Sequence, residues 1–479
     1  MSLTQFLPAF ETELVDGGLM VEDNTIISDV VLLIGFSAIG NTADANYINT
    51  PIKINRPDAA DSIYGTAQNG SSLTRGVYEA RNGQANQIVA VSLGPWGSAT
   101  YTNPTTGVVS QIFTLNPGGS ATKPSDYTIN TTNYYAALEN LYDLLENSTA
   151  ADIIVPIDAD AFDTVTVNTR TTNFAYQLAF HLADMSTEDN ECMGMIKVHP
   201  CGSGTLTVVR DYIGTEPSKN ALGQIDINGD GLLGEEWAMG ASGTTFAAVA
   251  PGYFRSNFAT TSNYYGLPPV ASNEIEVDRR NNPVDIGKYI SVVAAEPIFP
   301  AGAYASGYSG TGECIYAGVV SRLPVKSAPT GKIVPSITGL LYDLSKSQLE
   351  SMTEARYVTF RRNRRGIVVT DGCTASRATS DYNRLSTMRI VMALSKVLRN
   401  VGELYIGEGN SPEMLNSLKS AIKAKFEAFV KDGAIKNYVF DVVQSSIDAA
   451  AGIVSIPIEI VPALEVRRIK LVVNLRSAL

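Results

Sequence analysis

The sequence predicts an α/β region with β-rich surface insertions, followed by an α+β unit whose strands lie at both of its ends. Three observations predict it. Short apolar runs alternate with helical patterns from Val30 to Ala294, the alternation that builds a parallel sheet. Two stretches rich in Gly, Pro, Ser, Thr and Asn interrupt that order, near 94–127 and 200–283. Beyond residue 331 the pattern changes to strands, two long helices and strands again.

In chain order, residues 1–22 form an arm. Phe10, Thr12 and Leu14 alternate with Glu11 and Glu13, the period of an extended segment. Val30–Phe36 is a buried strand, Ser72–Glu79 a helix closed by the turn Asn82-Gly83, and Gln87–Leu93 a second buried strand. Tyr134–Glu146 carries Leu138, Leu141, Tyr142 and Leu145 at helical spacing and leads to the strand Asp152–Ile157. Helix Asn173–Met185, strand Met193–Val198 and strand Lys288–Ala294 complete the α/β region, 23–330.

The α+β unit, 331–465, has strands Arg356–Arg361 and Gly366–Thr370 around a turn, then a helix Leu385–Val401. Ser411 as N-cap, Pro412 at the first helical position and Gly433 as the stop mark a second helix, Pro412–Lys431. Strands Tyr438–Val443 and Ile453–Ile460 follow, and 466–479 is a terminal strand or arm. Along it Ile469, Leu471, Val473 and Leu475 share one face while Arg468, Lys470, Asn474 and Arg476 share the other. A chain end this regular needs a partner. That partner is either the sheet of its own domain or another molecule.

The chain of 479 residues carries a net charge of −12, unevenly spread. From Arg322 onward 23 Lys+Arg stand against 14 Asp+Glu, leaving 13 against 34 before it. Such asymmetry implies surfaces that face different partners. No apolar run approaches the ~18–20 residues of a membrane span, and no Lys or Arg precedes Lys53, so neither membrane insertion nor a secretory leader is expected. Cys192, Cys201, Cys314 and Cys373 are too few for a disulfide framework and read as buried or free thiols.

Catalytic chemistry finds little support. His181 and His199 are the only histidines, and Cys192, His199 and Cys201 match no zinc spacing. Gly240-Ala241-Ser242 and Gly307-Tyr308-Ser309 open like nucleophile elbows but reach Thr244 and Thr311 where glycine should close them. Gly331-Lys332 lacks a phosphate loop's upstream glycine. No enzyme is expected.

Asp226, Asn228, Asp230 and Gly231 do open like a calcium loop, with side-chain oxygens at alternate positions and a glycine for the turn. Its closing carboxylate, Glu236, comes one place early, since Trp237 fills the usual position. No cofactor is required; calcium is the possible one, and a calcium-dependent surface-binding protein is the reading of another class. Arg361, Arg362, Arg364 and Arg365 surround Asn363 as a positive knob suited to carboxylates or phosphates. Without interleaved aromatic side chains and within an acidic chain, direct nucleic-acid binding is not expected.

The order Tyr316-Ala317-Gly318-Val319-Val320-Ser321-Arg322, Lys326-Ser327-Ala328-Pro329-Thr330-Gly331-Lys332, Gly366-Ile367-Val368-Val369, Asp371-Gly372-Cys373-Thr374 and Asn383-Arg384-Leu385-Ser386-Thr387-Met388-Arg389-Ile390 resembles the tail sheath proteins of contractile bacteriophages. Val31-Leu32-Leu33-Ile34-Gly35-Phe36 and Tyr78-Glu79-Ala80-Arg81-Asn82-Gly83 look like that family's first strand and the helix before its glycine turn. Gly407-Glu408-Gly409-Asn410 departs from the family's aromatic-rich Glu-Pro-Asn turn.

The resemblance implies a structural subunit assembled in the host cytoplasm into a virion tail sheath. Hexameric rings stack helically around an inner tail tube and meet baseplate and terminator proteins. Contraction then drives the tube through the host envelope for genome ejection. The same fold serves bacterial contractile injection systems. The resemblance further implies strand-exchange arms at both termini, with Phe10, Thr12, Leu14, Ile469, Leu471, Val473 and Leu475 at the subunit interface. It also implies an innermost C-terminal domain, which places Arg361, Arg362, Arg364 and Arg365 toward the tube.

Overall fold

The computed structural model describes residues 29–43, 45–103, 106–116, 127–146, 151–161, 164–167, 170–188, 191–198, 218–219, 225–226, 286–354, 356–376, 380–445 and 453–467. Its first strand, β1 (Val30–Ser37), is apolar throughout because helices cover both of its faces. Leu32, Ile34 and Phe36 enter one core while Val31 and Leu33 enter the other, the period of two imposed by the pleat. The remaining strands of its sheet are β2 (Ile52–Lys53), β3 (Gln87–Pro95), β4 (Ile153–Pro156), β5 (Met193–Lys197), β6 (Ile290–Val293) and β7 (Tyr357–Val358). Their order is β7-β6-β5-β4-β1-β3-β2, and every neighbouring pair is parallel except β2–β3.

Helices α1 (Pro57–Tyr64) and α2 (Ser72–Asn82) connect β1 to β3, and α3 (Thr131–Glu146) and α4 (Phe174–Glu188) bracket β4. Next come α5 (Glu313–Ser321), α6 (Lys346–Glu354), α7 (Leu385–Glu403) and α8 (Pro412–Asp432). Helices α3 and α4 pack on the face of Leu32, Ile34 and Val91, where Phe36, Trp96 and Phe113 meet with centroids 4.5–4.8 Å apart. Helices α1, α2 and α5, with the start of α7, pack on the face of Val31, Leu33, Ile88 and Val155.

The α2–α5 contact is made by backbone. A Cβ added at Gly318 would lie 2.2 Å from the Ala80 carbonyl oxygen, and one at Gly83 would lie 2.4 Å from that of Ile315. Only glycine permits this approach.

A third core lies beyond the sheet. Ile390, Leu394, Val397 and Val401 of α7 pack against Leu418, Ile422, Phe426 and Phe429 of α8. A hairpin of β10 (Ile435–Phe440) and β11 (Ile458–Pro462) closes it, with Tyr438 stacked on Phe426 at 4.5 Å. Between β7 and α7, the hairpin β8 (Phe360–Asn363) and β9 (Gly366–Val369) stands apart from the main sheet.

The long periodic elements stand where the sequence places them, including the Ser411 cap and the left-handed Gly433 that ends α8. Helix α5 carries no amphipathic stripe, because all nine of its residues are buried. The predicted strand Arg356–Arg361 divides: Tyr357–Val358 joins the main sheet and Phe360–Asn363 the hairpin. Hence part of the stretch 331–465 completes the preceding region's sheet. The final hairpin pairs Ile435–Phe440 with Ile458–Pro462, shifted from the predicted strands, and Val443 and Ser455 add an isolated bridge. The first insertion forms two short hairpins, Thr100–Thr102 with Val109–Gln111 and Phe113–Leu115 with Tyr127–Ile129. Cys192, Cys314 and Cys373 are buried free thiols; Cys201 and His199 lie outside the described residues. No helix among the described residues is long and apolar enough to cross a membrane.

Gly318→Ala should cost about 1–3 kcal/mol, the usual range for overpacking, read as a lower midpoint in chemical denaturation. A surface change such as Lys423→Ala, whose side chain is 63% exposed, should leave the midpoint nearly unchanged.

Candidate functional site

Helix α7 lies across the starts of three strands of the main sheet, and a basic side chain meets each start. Arg389 donates to Asp29 Oδ2 from Nη2 at 2.8 Å and Nε at 3.0 Å, just before β1. Lys396 donates to Asp152 Oδ1 at 2.9 Å, just before β4, and the other oxygen of Asp152 accepts the Val30 N–H at 2.7 Å. Arg399 donates twice to Glu191 Oε1, at 3.0 and 2.9 Å, just before β5. Arg389, Lys396 and Arg399 share one side of α7 because two turns, then nearly one more, separate them. Ile390, Leu394, Val397 and Val401 occupy the opposite side and enter the third core.

The Arg389 side chain is only 3% exposed and also donates to the Leu323 carbonyl at 2.8 Å. Burial pushes Asp29 up from 3.8 to about 6, opposed by Arg389 and reinforced by Asp152. A carboxyl raised in this way binds its proton more tightly folded than unfolded. Its contribution to stability is complete below pH ~4 and lost as the pH rises through 6.

A second polar knot ties down the residues that precede the predicted terminal strand. Asp371, buried to 3% of its side chain, accepts from Arg384 at 2.8 Å and from Arg467. Glu465 stands 3.6 Å from Arg384, and Thr330 Oγ1 lies 3.1 Å from Asp371 and 3.2 Å from Glu465. Val466 itself is 80% exposed, and 468–479 lie outside the described residues.

Above α8 the hairpin β10–β11 directs Tyr438, Phe440, Ile458 and Ile460 into the core and leaves Val439 and Val461 exposed. It has no third strand among the described residues, so both outer edges present backbone groups of the kind that accept an added strand.

The four arginines read as a knob do sit together, on the tip of β8–β9, and all are exposed. Arg362 stands 3.5 Å from Asp343, Arg365 donates to the Gly331 carbonyl at 3.3 Å, and Asn363 Oδ1 accepts the Arg365 N–H at 2.8 Å to close the turn. Phe10, Thr12, Leu14, Ile469, Leu471, Val473 and Leu475 lie outside the described residues. So do Asn228, Asp230 and Glu236 of the calcium-like loop; only the backbone of Asp226 is described, in a short strand Ile225–Asp226. Among the described residues no cluster of three His, Cys, Asp or Glu side chains could hold a metal ion.

Arg389, Lys396 and Arg399 were not singled out from the sequence. Their spacing on one helix face was visible, but their partners precede three strands that only the sheet order brings side by side. Arg389→Met should cost about 3 kcal/mol at pH 7, the penalty for stranding a buried carboxylate. The cost should be smaller at pH 5, where Asp29 is protonated; thermal unfolding at the two pH values checks both.

No protein-family model matches the sequence, and no curated protein matches it. Solved structures do. A chain of the anti-feeding prophage baseplate is 10% identical, with 98% of this chain and 99% of that chain covered at a TM-score of 0.55. The contracted helical sheath of the anti-feeding prophage is 10% identical over 98% and 99%, at 0.54. A sheath tail protein from Desulfitobacterium hafniense is 11% identical over 96% and 97%, at 0.52. With a seven-stranded, mostly parallel sheet, α7 across its strand starts and a hairpin-capped third core, this chain has the fold of contractile-tail sheath proteins.

Proposed function

We propose that the chain is a non-catalytic sheath subunit that polymerises as stacked hexameric rings around an inner tail tube and contracts to drive that tube through an envelope. The observation that carries this reading is the likeness to sheath structures across 98% of the chain. The hairpin β10–β11 supports the finer mechanism. Each arm supplies an alternating strand, Phe10–Val15 or Val466–Leu475, and each free hairpin edge receives one from a neighbouring subunit.

An added backbone hydrogen bond contributes ~0.5–1.5 kcal/mol net, so one exchanged strand of five or six bonds is a modest link. The rings hold because such links repeat around and along the sheath. An extended segment of about ten residues spans ~33 Å, enough to keep subunits tethered while they rotate. The knob of Arg361, Arg362, Arg364 and Arg365 faces an acidic tube surface, with the acidic remainder of the chain outward.

Besides the anti-feeding prophage chains, a contracted sheath complex of an extracellular contractile injection system matches at a TM-score of 0.53. These favour an injection machine as the second setting for the same subunit mechanics.

Negative-stain microscopy of the purified chain should reveal hollow tubes; a stable monomer at high concentration sinks the proposal. Deleting 468–479, which leaves the contact of Arg467 with Asp371 in place, should abolish tubes while circular dichroism and the unfolding midpoint stay near wild type, and tubes that persist rule out the C-terminal arm. Replacing the four arginines by Glu should leave empty tubes intact yet prevent co-sedimentation with purified tail tube at low salt. Unchanged co-sedimentation removes the knob from the tube contact.

A further inference from the structure

Two carboxylates that the proposed mechanism does not use are fully buried where α2 crosses α5. Glu79 extends from α2 and Glu313 opens α5; neither has any exposed surface. The Tyr308 hydroxyl donates to Glu79 Oε1 at 3.3 Å, and the Thr311 hydroxyl donates to Glu313 Oε1 at 2.6 Å. Oε2 of each glutamate has no hydrogen-bond partner among the described residues. Arg75, one turn before Glu79, donates to Asp158 at 2.6 Å and leaves its Nε 3.6 Å from Glu79 without a hydrogen bond.

The groups facing the pair from the surrounding elements are Arg75 on α2, Cys314 on α5, Asp158 beyond β4, Lys197 at the end of β5, and Tyr304 and Tyr308 before α5. Three carboxylates, Glu79, Glu313 and Asp158, therefore share two cations, Arg75 and Lys197. Ionising both glutamates would place two negative charges on side chains with no exposed surface, which burial strongly opposes.

We propose that Glu79 and Glu313 together hold one proton at neutral pH, and that its loss at alkaline pH is a release for the α2–α5 crossing. The proton passes to hydroxide and leaves two fully buried carboxylates charged within the same crossing. Burial moves both groups the required way, Glu79 from 4.5 to about 8, with Glu313 raising it further against Arg75. Because the folded state binds this proton more tightly than the unfolded chain, its stabilisation is complete below pH ~4.5 and lost as the pH climbs to 8. The upper part of that window lies clear of Asp29.

Thermal unfolding of the full chain from pH 6 to 9 tests this. The wild-type midpoint should fall by several degrees. Glu79→Gln and Glu313→Gln should each flatten that fall, and should exceed the wild-type midpoint at pH 9. Profiles of both variants that descend in parallel with the wild type overturn the proposal. Should neither variant fold, infrared spectroscopy of the wild type decides. A protonated-carboxyl stretch present at pH 7 and lost by pH 9 supports the shared proton, and its absence at pH 7 refutes it.

Discussion

One helix holds the molecule's parts in register. Helix α7 belongs to two cores at once, Leu385, Met388 and Met392 entering the sheet's lower layer and Ile390, Leu394, Val397 and Val401 the hairpin-capped core. Burying a large apolar side chain stabilises by ~1.5–3 kcal/mol, and α7 does so on two opposite sides. The ion pairs then decide how it lies. Apolar packing tolerates sliding and small rotations, whereas Asp29, Asp152 and Glu191 admit their partners only when each strand start faces its own turn of α7. Partly buried pairs of this kind add modestly to stability while fixing one arrangement, and that is the role the geometry gives these.

Much of this was legible in the sequence. Val30–Phe36 and Gln87–Leu93 read as buried strands because a doubly covered parallel sheet needs continuous apolar runs, and the two pair in parallel. Helix α8 was legible at both ends because capping is local chemistry: Ser411 accepts the Met414 N–H at 3.2 Å, and Gly433 adopts a left-handed conformation. Helix α5 was hidden for the opposite reason, since complete burial removes the stripe by which periodicity finds a helix. Pro57 at the start of α1 is the local sequence signal for that helix.

The polar sites divide along the same line. The arginine tip of β8–β9 is contiguous in sequence, so its clustering was plain, although Asp343 and Gly331 as neighbours of two of its members were not. The knot of Asp371, Arg384, Glu465 and Arg467 draws together residues nearly a hundred positions apart, and no spacing rule reaches that far. The shared proton of Glu79 and Glu313 is more remote still. It depends on Gly83 and Gly318 letting two helices approach until both carboxylates lose contact with water.

That close approach bears on how stiff the molecule is. Where helices touch through side chains, a push is absorbed first by rotamer changes, which cost little and leave the backbones free to creep. Between α2 and α5 no such cushion exists at the glycines. Displacement there works directly against repulsion between peptide groups, which rises steeply over tenths of an ångström. The crossing is a hard stop, and the body built around it deforms less readily than its ion-paired and hydrogen-bonded margins. In the proposed sheath, an assembly of such bodies would change length by turning rigid blocks against each other, with bending confined to their rims.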